Sequence, residues 1–147
     1  KEVHIADLPL YNQDYDDTII DSYERVRQQL KDADAVLIVT PEHNRTMPAA
    51  LKNVVDIGSR PSKKSVWTRK KVAIATAAPG SFGGIDSGLE VRKSMQMLSA
   101  QVMIDPEIHL SRATDSLNED GSVSERTQKF LQSFVTEFVK FAGQSRD

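Results

Sequence analysis

The chain has 147 residues, enough for one domain built on one hydrophobic core. Its net charge of −2, with 39% hydrophobic and 27% charged residues, fits a globular protein and offers no basic surface for nucleic acid or an anionic membrane. It has no cysteine, which excludes disulfides, thiolate catalysis and cysteine-based zinc sites, and it has no apolar run near the ~18 residues of a membrane span.

Residues 2–8 alternate weakly and predict a strand that ends in a turn at Pro9. A helix is expected over residues 17–31, because Ile19, Ile20, Tyr23, Val26 and Leu30 recur at three- and four-residue spacing. Asp16 and Asp17 suit its positive end. Residues 33–39 form the next strand; the run AVLIV is short, rich in branched side chains and apolar on both faces, the pattern of a buried parallel strand. A polar loop bracketed by Pro41 and Pro48 leads into a helix with Leu51, Val54 and Val55 on its apolar face, ending near Gly58 and Pro61.

Residues 62–71 are a basic connector, and residues 72–77 a third strand. A glycine-rich loop over 78–84 precedes a helix over 86–100. A fourth strand begins at 101–104, and 106–118 is irregular with a short extended piece at 107–110. In the last helix Ser122 and Glu125 suggest a capping box, Phe130, Leu131, Phe134, Val135, Phe138, Val139 and Phe141 make a wide apolar stripe, and Gly143 suits its end. Alternating strands and helices imply an α/β fold with a parallel sheet covered on both faces. Four units are too few to close a barrel, so right-handed crossovers give a doubly wound sandwich.

In such a sheet, ligands sit beyond the carboxyl ends of the strands. Two loops qualify, residues 40–48 (TPEHNRTMP) and 78–84 (APGSFGG). The prolines stiffen the first, whose backbone N–H groups from Glu42 to Asn44 have no strand partner. Gly80, Gly83 and Gly84 bare the backbone of the second to a flat ligand. The expected pocket has mainly main-chain donors. Each feature also has a plain reading, as a stiff connection or a flexible turn. Lys52, Asn53 and Asp56 suit structural support, with Asn53 and Asp56 tying the helix to nearby loops. Arg60 and Pro61 suit a helix end, with a subunit contact or dinucleotide binding as the alternative. Arg45 is placed for an anionic substrate or simply for solvent. His4, His43 and His109 are too scattered for a metal site, and Met95, Met97 and Met103 read as core or interface fillers. Trp67 is left open between an exposed position, an oligomer interface and the neighbourhood of a partner's cofactor.

The stretch TPEHNRTMPAALKNVVDIGSRP resembles the TPEYN…PxxLKNxxDWxSRP signature of the NADPH-dependent FMN reductases, a flavodoxin-like family with chromate, quinone and azo reductases among its members. The second loop, with Leu89 and Arg92 on its helix, is similar to the SPGxxGG…LR segment of that family. The resemblance extends from Glu2 to the last helix and is most specific in the first motif. It implies a flavodoxin-like doubly wound sheet of strand order 2-1-3-4-5 and an FMN bound at the strand ends. Pro41, Glu42, His43 and Asn44 would lie along the isoalloxazine edge, with Pro79, Gly80, Ser81, Gly83 and Gly84 at the pyrimidine end.

It further implies a cytoplasmic homodimer or homotetramer with FMN near a subunit interface. NADPH or NADH would reduce the flavin, which would then reduce a small-molecule acceptor such as a quinone, azo compound, free flavin or metal oxyanion. Donor and acceptor would use one open face in turn. No side-chain acid or base is required, and no nucleic acid or membrane partner is expected.

The chain departs from the family in three places. His43 stands where Tyr is usual, which removes aromatic area and adds a titratable ring. Ala78 stands where Ser is usual. The opening strand and phosphate loop of the family, GSxRxxSxN, have no counterpart in these residues, so the chain is expected to be an N-terminally incomplete single FMN-binding domain, lacking roughly 30 to 40 residues by the length of a βα unit. The rival classes are a flavodoxin-type electron carrier and a non-enzymatic flavin- or partner-binding module. Thr40-Pro41, where a signalling receiver domain needs an aspartate, speaks against that third use of the topology.

Overall fold

The computed structural model describes residues 1–144. Its elements run α1 (Asp21–Asp32), β1 (Ala35–Thr40), α2 (Ala49–Ser59), β2 (Lys71–Ala77), α3 (Ile85–Met97), β3 (Gln101–Val102), β4 (Ile108–Leu110) and α4 (Glu125–Gly143). All pairings between these strands are parallel, as the alternation of elements requires. β2 is the hub. β1 lies along one edge, in register from Ala35 opposite Lys71 to Thr40 opposite Thr76. β3 and β4 share the other edge, β3 at its start and β4 at its end. The two extended pieces expected at 101–104 and 107–110 are thus one strand position, interrupted around Pro106.

Side chains alternate across β2. Val72 and Ile74 point into a core with Val26, Leu30, Val54 and Val91, on the side of α1, α2 and α3. Ala73 and Ala75 point the other way, and their small size lets Phe134 of α4 pack close to the sheet. The two lysines at the start of the strand obey the same alternation. Lys70 donates to the carbonyls of Lys31 and Ala33 at the end of α1. Lys71, aimed at the opposite face, donates to the carbonyls of Ala142 (2.9 Å) and Gln144 at the end of α4. Both residues are at most 5% exposed. A buried ammonium is tolerated when oxygens surround it, and helix C-termini supply unpaired carbonyls at the negative end of the dipole.

Trp67 belongs to the core, 1% exposed, with its indole N–H donated to the Val55 carbonyl at 3.0 Å. Of its three possible environments the structure selects none: the connector tucks the ring against Gly58 of α2. Met95 and Met103 are core residues, whereas Met97 is exposed. Asn53 ties α2 to the loop before α1, donating to the Pro9 carbonyl and accepting from the Tyr11 N–H. Tyr23 holds the same loop by donating its buried hydroxyl to the Leu10 carbonyl at 2.9 Å. Burial pushes the Tyr23 hydroxyl above the usual phenol range, against the opposing pull of Arg27.

Four expectations are corrected. Residues 2–8 form no strand; Val3, Ile5 and Leu8 pack against the core, but no neighbouring strand among the described residues supplies a ladder. The first helix begins at Asp21, so Asp21 and Glu24, not Asp16 and Asp17, occupy its first turn; residues Gln13–Tyr15 make a short 3-10 turn instead. The cap of α4 is Ser124, whose hydroxyl accepts the Thr127 N–H, while Ser122 is occupied with Asp120. β1 is not buried on both faces: on the α4 side Leu37 and Val39 are 36% and 70% exposed, because the one helix on that face lies over β2. Phe130, Val135 and Val139 of the α4 stripe are exposed as well.

A Cβ at Gly58 would fall 2.6 Å from the Trp67 indole nitrogen. Alanine normally gains about 1 kcal/mol over glycine inside a helix. Here overpacking of a locked ring costs about 1–3 kcal/mol and decides the sign. Gly58→Ala is therefore expected to lower the denaturation midpoint, a shift that chemical unfolding followed by Trp67 fluorescence would measure.

Candidate functional site

The loops after β1 and β2 meet at the carboxyl ends of the strands. The first is a tight hairpin. His43 and Thr46 exchange both backbone hydrogen bonds at 3.0 Å, and Asn44 and Arg45 between them have φ of +50° and +64°. Two positive φ values are what a two-residue turn of this hand demands. Asn accepts that conformation; Arg45 holds it at a cost of about 1–2 kcal/mol. Met47, 6% exposed, anchors the hairpin in the core. The expectation that all the N–H groups from Glu42 to Asn44 are free is thereby corrected, since that of His43 is spent inside the turn.

The second loop is pinned by its carbonyls. Gly80 C=O accepts from the Arg112 N–H at 2.9 Å, and Gly83 C=O accepts from the Thr76 hydroxyl at 2.7 Å. In a trans peptide the following N–H points the opposite way, so Ser81 N–H is directed away from Arg112 and Gly84 N–H away from Thr76. Gly83 and Gly84 are buried and left-handed, with φ of +62° and +80°. They are glycines because the loop is pressed onto the protein itself. A Cβ at Gly83 would strike the His109 backbone at 2.7 Å, and one at Gly84 would meet Thr76 at 3.1 Å. Gly80, Pro79 and Ser81 face outward, with open space beside Gly80.

One carboxylate joins the loops. Glu42 Oε2 accepts the N–H groups of Asp86 (3.0 Å) and Ser87 (3.3 Å), so a residue of the first loop caps the helix that the second loop starts. Arg45 adds an ion pair to Asp86 at 3.0 Å and lies over the Phe82 ring, 4.8 Å from its centroid. With the cap in place, the first four N–H groups of α3 are all satisfied. Those of Glu42, Asn44, Ser81, Phe82, Gly83 and Gly84 make no hydrogen bond of normal geometry to any described residue. Backbone donors, above all in buried residues, are almost always paired. A row of them at the strand ends suits a flat ligand rich in acceptor atoms, and the residues present fit the ring of a flavin.

The structure therefore brings all nine expected residues to one end of the sheet: Pro41, Glu42, His43 and Asn44 on one loop, Pro79, Gly80, Ser81, Gly83 and Gly84 on the other. It also adds two that sequence reasoning passed over. Thr76 looks like one more apolar-strand residue, and His109 lies 33 positions away, yet the two meet at 2.8 Å beneath the second loop. Only the β2–β4 register, which puts Thr76 opposite His109, brings them together. Two clefts of about 420 and 390 Å³ lie elsewhere, near Lys31 and Lys64, and touch neither loop.

Removal of the shared cap tests the coupling of the loops. Glu42→Ala is expected to cost about 1 kcal/mol of stability and to speed amide hydrogen exchange at Asp86 and Ser87, which NMR would follow residue by residue.

The comparisons with known proteins agree with this geometry. Residues 1–115 match the family described as NADPH-dependent FMN reductase. A quinone reductase of Pseudomonas putida is 39% identical over 147 residues, covering 99% of this chain and 79% of that protein. A 2-hydroxy-1,4-benzoquinone reductase of a Burkholderia species is 38% identical over 98% of this chain and 79% of its own length. The structure of FerB, a flavoenzyme NAD(P)H:(acceptor) oxidoreductase from Paracoccus denitrificans, superposes with a TM-score of 0.87 at 34% identity, over 95% of this chain and 78% of that one. With the matched region spanning both loops and the sheet between them, the chain belongs to the NADPH-dependent FMN reductase family.

Proposed function

We propose that the protein is an NAD(P)H-dependent flavin oxidoreductase that reduces quinones with FMN as its cofactor. The observation that carries this is the row of unpaired backbone N–H groups on two coupled loops at the strand ends. Relatives named for quinone reduction direct the choice of acceptor. When bound, FMN supplies the redox chemistry, taking hydride from the nicotinamide and passing two electrons on. The protein binds and orients it. The N–H groups of Glu42 and Asn44 would serve one edge of the ring and those of Ser81 and Gly84 another, with Pro41, His43, Pro79, Gly80 and Gly83 shaping the surface around them. Glu42 acts through its carboxylate as well, keeping α3 and the second loop in place. Purified protein is expected to show flavin absorbance that NADPH bleaches without oxygen and that a benzoquinone restores. Flavin absorbance without NADPH oxidation would turn the reading to an electron carrier, and failure to take up added FMN would overturn it.

The domain is read as a single flavodoxin-like unit. In support, one parallel sheet carries all four strands, and both loops stand at the carboxyl ends of β1 and β2. We read the working form as a homodimer or homotetramer in the cytoplasm, where NAD(P)H is available. Phe82 in the second loop and Ile85, Leu89 and Met97 along α3, all exposed, are the surface that favours self-association. Native mass spectrometry tests the assembly. The expected result is two or four subunits, and a monomer overturns it.

A further inference from the structure

Thr76 is 1% exposed, and its hydroxyl has three polar neighbours: Gly83 C=O at 2.7 Å, Ile108 C=O at 3.3 Å and His109 Nδ1 at 2.8 Å. A hydroxyl carries one proton. Both carbonyls only accept, and two oxygens 2.7 Å apart repel unless a proton lies between them, so the short contact assigns the proton to Gly83. The His109 contact must then run the other way, with Nδ1–H donating and the Thr76 oxygen accepting. The opposite tautomer would place a bare nitrogen against an oxygen whose proton it competes for, and Gly83 would lose its donor.

The ring of His109 is enclosed between α3 and Glu107. Gly88 of α3 leaves room for it, since a Cβ there would lie 3.0 Å from His109 Cε1. On the far side Nε2 is 3.5 Å from Glu107 Oε2, where no hydrogen bond forms, and Glu107 is fixed by Arg92 at 2.8 Å. Arg92 belongs to α3, so the chain of contacts leaves α3, crosses β4 and β2, and returns to the loop at its own head.

We infer that His109 is a positioning residue for the FMN-facing loop, acting through Thr76. Its Nδ1–H keeps the Thr76 hydroxyl aimed at Gly83 C=O, which holds the 83–84 peptide with the Gly84 N–H turned outward toward the cofactor. This deepens the reading given above and rests on it. His109 touches neither the cofactor nor the substrate in this scheme. Its influence is on how well the loop is organised before the ring arrives.

The test has two arms. In flavin-free protein, imidazole 15N NMR reads the proton directly: a proton on His109 Nδ1 is expected, and the tautomer protonated only at Nε2 overturns the inference. Amide exchange of Gly84 in the same protein should quicken in Thr76→Val and His109→Leu. It should stay near that of the parent in Thr76→Ser, which keeps the hydroxyl, and in His109→Asn, whose side-chain N–H can stand close to the Nδ1 position. In the second arm, FMN affinity should fall about tenfold in Thr76→Val and His109→Leu, the worth of one hydrogen bond, and recover in the two conservative variants. Equal affinities across all four variants overturn the inference, as does loss in all four, which would mark a role in packing alone. If the parent protein takes up no FMN, the cofactor reading falls, and the tautomer and exchange measurements still decide the relay.

Discussion

The protein depends on one strand that must satisfy both of its faces and both of its edges. β2 pairs with β1 along one side and with β3 and β4 along the other, and its side chains enter the core on one face and the α4 packing on the other. The charged start of the strand is used in the same way. Lys70 and Lys71 turn to opposite faces and each gathers the carbonyls of a helix end. A pair of adjacent lysines before an apolar run would ordinarily be a solvated boundary. Here the two-residue period of a strand separates them, and the negative ends of α1 and α4 make their burial tolerable.

The opposite end of β2 has the complementary chemistry. Thr76 donates a hydrogen bond to the carbonyl of Gly83, and Arg112 N–H donates one to that of Gly80. Glu42 reaches from the end of the neighbouring strand to the start of α3. The two loops are therefore not independent attachments to a scaffold. The first loop caps the helix of the second, and the strand beneath holds the carbonyls of the second. Donors ordered in advance would spare a ligand the entropic cost of ordering them, an advantage of backbone over flexible side chains.

The glycines show how a motif and its physical cause can diverge. Openness fits Gly80, beside which there is free space. It does not explain Gly83 and Gly84, which are required by left-handed backbone and by contact with the His109 backbone and Thr76. The loop must lie close to its own sheet so that its carbonyls can be held. Similarly, Pro41 and Pro48 bracket a loop that is ordered chiefly by the His43–Thr46 turn and by the burial of Met47.

The sequence by itself determined the alternation of elements, the parallel sheet and the two loops at the strand ends, because periodicity, glycine and proline act over a few residues. The TPEHN and PxxLKN patterns were legible for the same reason: each is local. Local signals misplaced the start of α1 and the cap of α4, where several acidic or hydroxyl residues compete within one turn. They also gave residues 2–8 a strand that needs a ladder partner, which no short pattern can supply. What only the tertiary structure decided depends on contacts between distant residues. Trp67 joins the core because Gly58 leaves it room and Val55 accepts its N–H. Glu42 caps a helix more than forty residues away, and His109 meets Thr76 through strand register alone. Such pairings leave no trace in spacing, since the chain between the partners is free to take any length that closes the loop.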